Sequence, residues 1–259
     1  MRMMKKVLGT VTVLALSVSL LAGCGSTAAS PVSSAASTAA ESTTSSVVSE
    51  TTSAAADENE AAAAQLLNDL TGSYQELWPV ILADEYKQTW LDDCTALVGE
   101  DNAEAAFEKL SSMVTGDVYG EDAVKAYANG GGAYFCGFTN SLATLTFDGE
   151  TSTISGTDKD GNVLFSHTYH YIGMEPVHGL YEFESDDADS GEFTYFFLAP
   201  DTSAETYHIE FRYGSDADAL SQYDAGEYAY WVASGISTDC DQTMIDNCIE
   251  LFCTENLAG

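Results

Sequence analysis

The chain carries four histidines, His167, His170, His178 and His208. In ETYHIEFRYGSD, residues 205 to 216, His208 stands two positions before Glu210. Side chains alternate along a β-strand, so on a strand the two leave the same face. A neutral imidazole and a carboxylate are both good ligands for Zn2+, and two donors on one strand face are a common start to a tetrahedral site. Without a third ligand, the same pair reads as polar barrel lining or a surface ion pair. SHTYHY places His167 and His170 three apart, on opposite faces of a strand, so those two do not build a joint site. His178 precedes a strand near Glu175 and reads as an exposed loop histidine.

Catalytic signatures are missing. There is no Gly-x-Ser-x-Gly elbow, no His-Glu-x-x-His, no phosphate loop and no dinucleotide fingerprint. With 41 acidic residues in the chain, any carboxylate pair could be named an acid/base couple, so such pairs carry no information. The expectation is a binding protein and not an enzyme.

The elements that must position His208 change character at NGGGA, residues 129 to 133. Before it, ENEAAAAQLLNDL reads as a short helix, Trp78-Pro79 as a turn against a core, and residues 84 to 128 as helical. Leu91, Cys94, Leu97 and Val98 recur at 3- and 4-residue steps, with Asp101 or Asn102 as the cap of a second helix. After the glycines the period becomes 2. AYFCGF, LATLTF, TSTISG, NVLFSHTYHY, GLYEFES, EFTYFFLA and ETYHIEFRYG read as seven strands, with DGE and KDGN as hairpin turns. Short connections make them antiparallel, and seven is enough to close or nearly close a small barrel. ADALSQ is a short helix. STDCDQTMIDNCIELFCTEN is a longer one, capped by Ser237 or Thr238, with Met244, Cys248, Leu251 and Phe252 on one side. The fold class is therefore mainly β, an antiparallel lipocalin-like (calycin) barrel with flanking N-terminal and C-terminal helices.

The first 23 residues read as a signal peptide. Arg2, Lys5 and Lys6 precede the apolar run Val7–Ala22, which is short for a spanning helix. It ends in Leu21-Ala22-Gly23-Cys24, which resembles the lipobox of bacterial lipoproteins. That resemblance implies cleavage before Cys24 and lipidation of Cys24, with acyl chains holding the protein to the extracytoplasmic face of the cell membrane. Residues 24–56 are Ser, Thr and Ala with almost no bulky apolar side chain, as in a disordered tether. Residues 57–259 are long enough for one domain with a sizeable core.

All 41 acidic residues follow Cys24, against five basic ones, Lys87, Lys109, Lys125, Lys159 and Arg212; 41 acids less five bases leaves −36. Such a surface repels phosphate backbones, which excludes nucleic acid as a partner, and attracts cations. Five cysteines follow Cys24: Cys94, Cys136, Cys240, Cys248 and Cys253. An oxidising compartment permits disulfides, and an odd count leaves at least one cysteine free or paired between chains. The favoured bridge runs from Cys240 or Cys248 to Cys94 or Cys136.

The order of motifs resembles the ZinT/YodA family of metal-binding domains. LTGSYQELWPVI resembles the family's Trp-Asp-Gly-x-Trp-x-x-x-Tyr-Pro opening, HGLYEFES its Gly-Val-Arg-Tyr-Leu-Phe-Glu strand, and FTYFFLAP its Phe-Ser-Asp-His-Ile-Ile-Ala-Pro. HIEFRYGSD resembles His-Phe-His-Ile-Phe-Met-Gly-Asn-Asp, and YDAGEYAYW stands where the family has Trp-Pro-Thr-Tyr-Tyr-Pro. Order and approximate spacing hold from Leu70 to the C-terminal helix. The resemblance implies a lipocalin-like barrel of the bacterial envelope that binds zinc through three histidines and is linked to zinc supply for an ABC transporter, whose binding protein would be its partner. Carried over by position, those histidines fall on His208, on Glu210, which can still ligate, and on Phe196, which cannot. His178 or His167 is then the candidate for a third ligand. A Glu in place of a His also shifts preference toward oxygen-seeking cations. The alternative is a barrel that has lost its metal site and binds a small apolar ligand among Tyr195, Phe196, Phe197 and Tyr207.

Overall fold

The computed structural model describes residues 47–200 and 206–258. The signal peptide (1–23), Cys24 and the tether up to residue 46 lie outside the described residues.

Eight strands run in chain order and close into an antiparallel barrel: β1 (Gly72–Glu76), β2 (Thr144–Asp148), β3 (Thr153–Thr157), β4 (Val163–Met174), β5 (Tyr181–Ser185), β6 (Tyr195–Leu198), β7 (Ile209–Gly214) and β8 (Ala233–Ser237). The last strand returns to the first, with Gln75 opposite Ile236. Closure satisfies the ladder groups that an open sheet would leave bare on its two outer strands. The lipocalin-like architecture expected from the period-2 runs is thus the one observed.

Six of the expected strands form as β2 to β7. AYFCGF does not. Phe135 makes only isolated bridges, to Thr115 and Trp231, because both sides of β8 are already taken by β7 and β1. The two strands that close the barrel, β1 and β8, carry no hairpin signal. Their seam joins segments far apart in sequence, and β8 is the small-residue run Ala-Ser-Gly-Ile-Ser.

Helices lie on either side of this barrel in sequence. Ahead of β1 comes α1 (Val47–Asp69), and between β1 and β2 come α2 (Leu77–Ile81), α3 (Lys87–Val98), α4 (Glu100–Met113) and α5 (Glu121–Ala128). Before and after β8 come α6 (Ala217–Leu220) and α7 (Gln242–Leu257). The first reaches back into the segment expected as tether, consistent with its alanines. On α3 the buried positions are Trp90 and Cys94, while Leu97 is exposed. The second helix starts after Gly99, whose φ of 84° the missing side chain permits, and Asp101 lies within its first turn. The C-terminal helix is capped by Asp241, whose carboxylate accepts from the Met244 amide at 2.9 Å, and not by Ser237 or Thr238, which lie at or beyond the end of β8.

Two apolar clusters result. One fills the lumen with Tyr74, Leu145, Phe147, Ile154, Phe196, Phe211, Tyr213 and Trp231; α1 adds Ala63, Leu66 and Leu67 to it, and Leu70 follows just past the helix end. The other lies outside, where Leu77, Trp78, Trp90, Leu110, Ile245 and Ile249 pack over Ile236 of β8. The turn between β2 and β3 touches α1 so closely that a Cβ on Gly149 would come within 2.4 Å of Asn68 Cα.

Candidate metal centre on the outer face of β7

Strand β7 alternates as its sequence demands. Ile209, Phe211 and Tyr213 enter the lumen cluster. Their neighbours His208, just ahead of the strand, Glu210 and Arg212 leave by the outer face. Burial of the three differs because different elements cover them.

His208 is held from three sides. Its Nδ1 lies 2.8 Å from the Thr206 carbonyl oxygen, and the Thr206 hydroxyl donates back to the His208 carbonyl at 2.8 Å. Tyr207 between them has φ 66°, a left-handed conformation that a bulky residue seldom adopts and that turns the imidazole onto the barrel wall. When the ring is neutral, donation of Nδ1–H to this carbonyl leaves the lone pair on Nε2. Nε2 lies 3.7 Å from Glu210 Oε1, with the His208 side chain 17% exposed and that of Glu210 45% exposed. The third neighbour is Cys248, on the buried face of α7. Burial by itself would lower the His208 pKa, but the Cys248 sulfur and the Glu210 carboxylate against the ring outweigh it and raise the pKa well above the ordinary histidine value. Nearby, burial and the Glu210 charge push the Cys136 thiol up to about 12.

The outer face continues with Arg212, which is fully buried. Its Nη1 donates to the Leu220 carbonyl, and its Nη2 donates to the carbonyls of Gln222 at 3.2 Å and Tyr228 at 2.5 Å. The guanidinium carbon sits 4.2 Å from the centre of the Tyr223 ring. His178 touches the same ring at 3.8 Å and pairs with the buried Glu175 at 3.3 Å. His178 is therefore partly buried beside Glu175, not the exposed loop residue its sequence context suggests.

His167 is elsewhere. It lies on the lumen side of β4 between Phe165 and Tyr169, with Nδ1 2.8 Å from Asp187 Oδ2. His170 on the other face pairs with Asp186 at 2.7 Å, so the opposite-face reading of the two histidines holds. Strands β5 and β6 separate His167 from β7. Phe196 also faces the lumen, opposite Tyr213 in the ladder and wholly buried. It is on the far side of the sheet from His208 and Glu210, so a histidine there would not join them.

The structure thus brings His208, Glu210 and Cys248 together and leaves His167 and Phe196 apart from them. Nitrogen, oxygen and sulfur donors suit zinc in kind. Among the described residues, no group of three or more His, Cys, Asp or Glu is arranged around one metal position as the side chains stand. Cys248 was visible in sequence as part of a helical stripe; which strand that stripe would cover was not. The aromatics of the apolar-ligand alternative are packing groups: Phe196 and Phe197 are wholly buried against their neighbours. A groove of about 330 Å3 lies between α2 and the 114–116 and 135–137 segments.

No protein-family model matches the chain, and no curated protein matches it. Among solved structures it is similar to the Zn(II)-bound ZinT-like domain of Streptococcus pneumoniae AdcA, with 16% identity and a TM-score of 0.45 over 71% of this chain and 89% of that one. It is also similar to Zn(II)-bound AdcA from the same organism, with 17% identity and a TM-score of 0.41 over 70% of this chain and 34% of that one. This chain therefore spans about a third of the whole AdcA chain. The first of these neighbours carries the family name to which the ordered motifs from Leu70 onward led.

Proposed function

We propose that the chain is a lipid-anchored, extracytoplasmic binding protein for a divalent cation, zinc foremost, with the cation held by His208 and Glu210 on the outer face of β7. The observation that carries this reading is the tautomer lock on His208. A metal-ligating histidine typically donates one ring N–H to a carbonyl and offers the other nitrogen to the metal. Here Thr206 takes the first role, and Nε2 is left facing a carboxylate oxygen at 3.7 Å. Glu210 is exposed enough to swing inward, and the Cys248 thiol is the third donor at hand. The strongly acidic surface favours cation capture.

The cation is cargo in this reading. Cys24 supplies the anchor, and the receiving partner is the binding protein of a zinc ABC transporter. Zinc binding must displace the proton from His208, so affinity rises with pH. Titration calorimetry of zinc into metal-stripped protein lacking residues 1 to 24, beside His208→Ala, tests the site. One saturable site of sub-micromolar affinity, about −8 kcal/mol or better, lost in the variant, is expected. Weak binding that the variant leaves unchanged would remove the site.

A further inference from the structure

The helix that covers His208 also carries a second, unrelated contact. Cys253, on α7, lies with its sulfur 3.9 Å from that of Cys94 on α3. Both residues are wholly buried, in a cluster that includes Trp90, Leu110 and Ile249. Neither is used by the cation site. All five described cysteines are free thiols here. The pairing also differs from the one expected from sequence, since Cys94 faces Cys253 and not Cys240 or Cys248.

We propose that Cys94 and Cys253 form a disulfide that ties α3 to α7 and so fixes the helix lying over His208. Two sulfurs in contact need only small side-chain rotations to reach bonding distance, about 2.05 Å. The oxidant is an external disulfide, either glutathione disulfide or that of a thiol oxidoreductase. One cysteine thiolate attacks it and expels a thiolate, giving a mixed disulfide. The second cysteine loses its proton and attacks the mixed disulfide, forming the Cys94–Cys253 bond and expelling the other half of the oxidant. Two electrons leave the cysteine pair, and the external disulfide becomes two thiols. Burial raises both thiol pKa values, so the exchange belongs to folding, while the sulfurs are still reachable. Once made, the bond is sealed in an apolar layer away from reductants. Cys136, Cys240 and Cys248 stay as thiols, which accounts for the odd count and leaves Cys248 beside His208.

The bond chemistry stands apart from the cation reading; only its formation in the cell rests on the extracytoplasmic location proposed above. The test is to unfold and reduce the purified mature chain, refold it in a glutathione redox buffer, alkylate free thiols and map the peptides without reductant. The expected result is one linked peptide pair carrying Cys94 and Cys253, an intact mass lower by two hydrogens, and alkyl groups on the other three. Alkylated Cys94 and Cys253, or a bond from either to another cysteine, would overturn it. As a second measurement, refolding in reductant in place of the redox buffer should lower the melting temperature of the wild type and of Cys240→Ala, and have no effect on the Cys94→Ala/Cys253→Ala variant. A reductant effect that survives in the double variant would also overturn it. Neither measurement contains zinc, so their outcome is separate from that of the titration.

Discussion

Arg212 gives the sharpest test of how β7 is held. It is the only basic residue after Lys159 and is wholly buried. Its guanidinium donates to three carbonyls, one at the end of α6 and two between α6 and β8, and lies over Tyr223. Arg212→Met keeps much of the aliphatic stem and removes every donor. Three buried carbonyls would then lack partners, at about 1–3 kcal/mol each. These losses are not additive, and removing a desolvated cation returns part of them. The net expectation is a loss of about 3–5 kcal/mol. For a domain of this size each kcal/mol is worth about 2–4 °C, so the melting temperature should fall by about 6–20 °C. Urea denaturation should show the midpoint moving with an unchanged slope. Arg212→Lys should recover only part, because a single ammonium cannot span three divergent carbonyls. A change below about 1 kcal/mol in Arg212→Met would refute the clasp, since surface substitutions commonly stay within about 0.5 kcal/mol.

Zinc at a hundredfold excess over its dissociation constant should stabilise the protein by about 2.7 kcal/mol, hence raise melting by about 5–10 °C; thermal scans of His208→Ala should show no rise. In the metal-free protein the raised His208 pKa sets a sign. Its contribution is complete below the unfolded value of about 6.5 and fades as pH climbs through the folded value. Wild type should therefore lose stability relative to His208→Ala on going from acid to alkaline pH, and parallel profiles would contradict the assignment. Phe196→Ala empties a wholly buried site between Tyr169 and Tyr213 and should cost about 3–5 kcal/mol by denaturant melting, while leaving zinc binding of the folded protein intact. Gly149→Ala should push the β2–β3 turn off α1, costing about 1–3 kcal/mol, with hydrogen exchange rising first in α1.

How far the sequence reveals all this depends on the range of each interaction. Strands β2 to β7 are legible because alternation and turn residues act between near neighbours. β1 and β8 are not, since each owes its strand character to the other across most of the domain. His208 and Glu210 share a face as period 2 requires, and that much follows from spacing alone. Which face they share does not. It is decided by Ile209, Phe211 and Tyr213 winning the lumen, which sends the histidine outward to meet α7. The same competition places Phe196 inside, so aligning it with His208 and Glu210 by position could not reproduce a common ligand sphere. Cys94 and Cys253 meet only because two helices separated in sequence by seven of the eight strands pack side by side.

The seam between β1 and β8 has a consequence for how the chain is born. Every strand from β2 to β7 can pair with its predecessor as it emerges, yet the cylinder stays an open sheet until residues 233–237 arrive. Until then β1 and β7 present bare hydrogen-bonding edges, the kind that recruit strands from other molecules. Chains terminated shortly before Ala233 should therefore gather into aggregates, whereas chains that end just after Ser237 have both edges answered. Residues 233–237 thus act as the stave that makes the cask watertight.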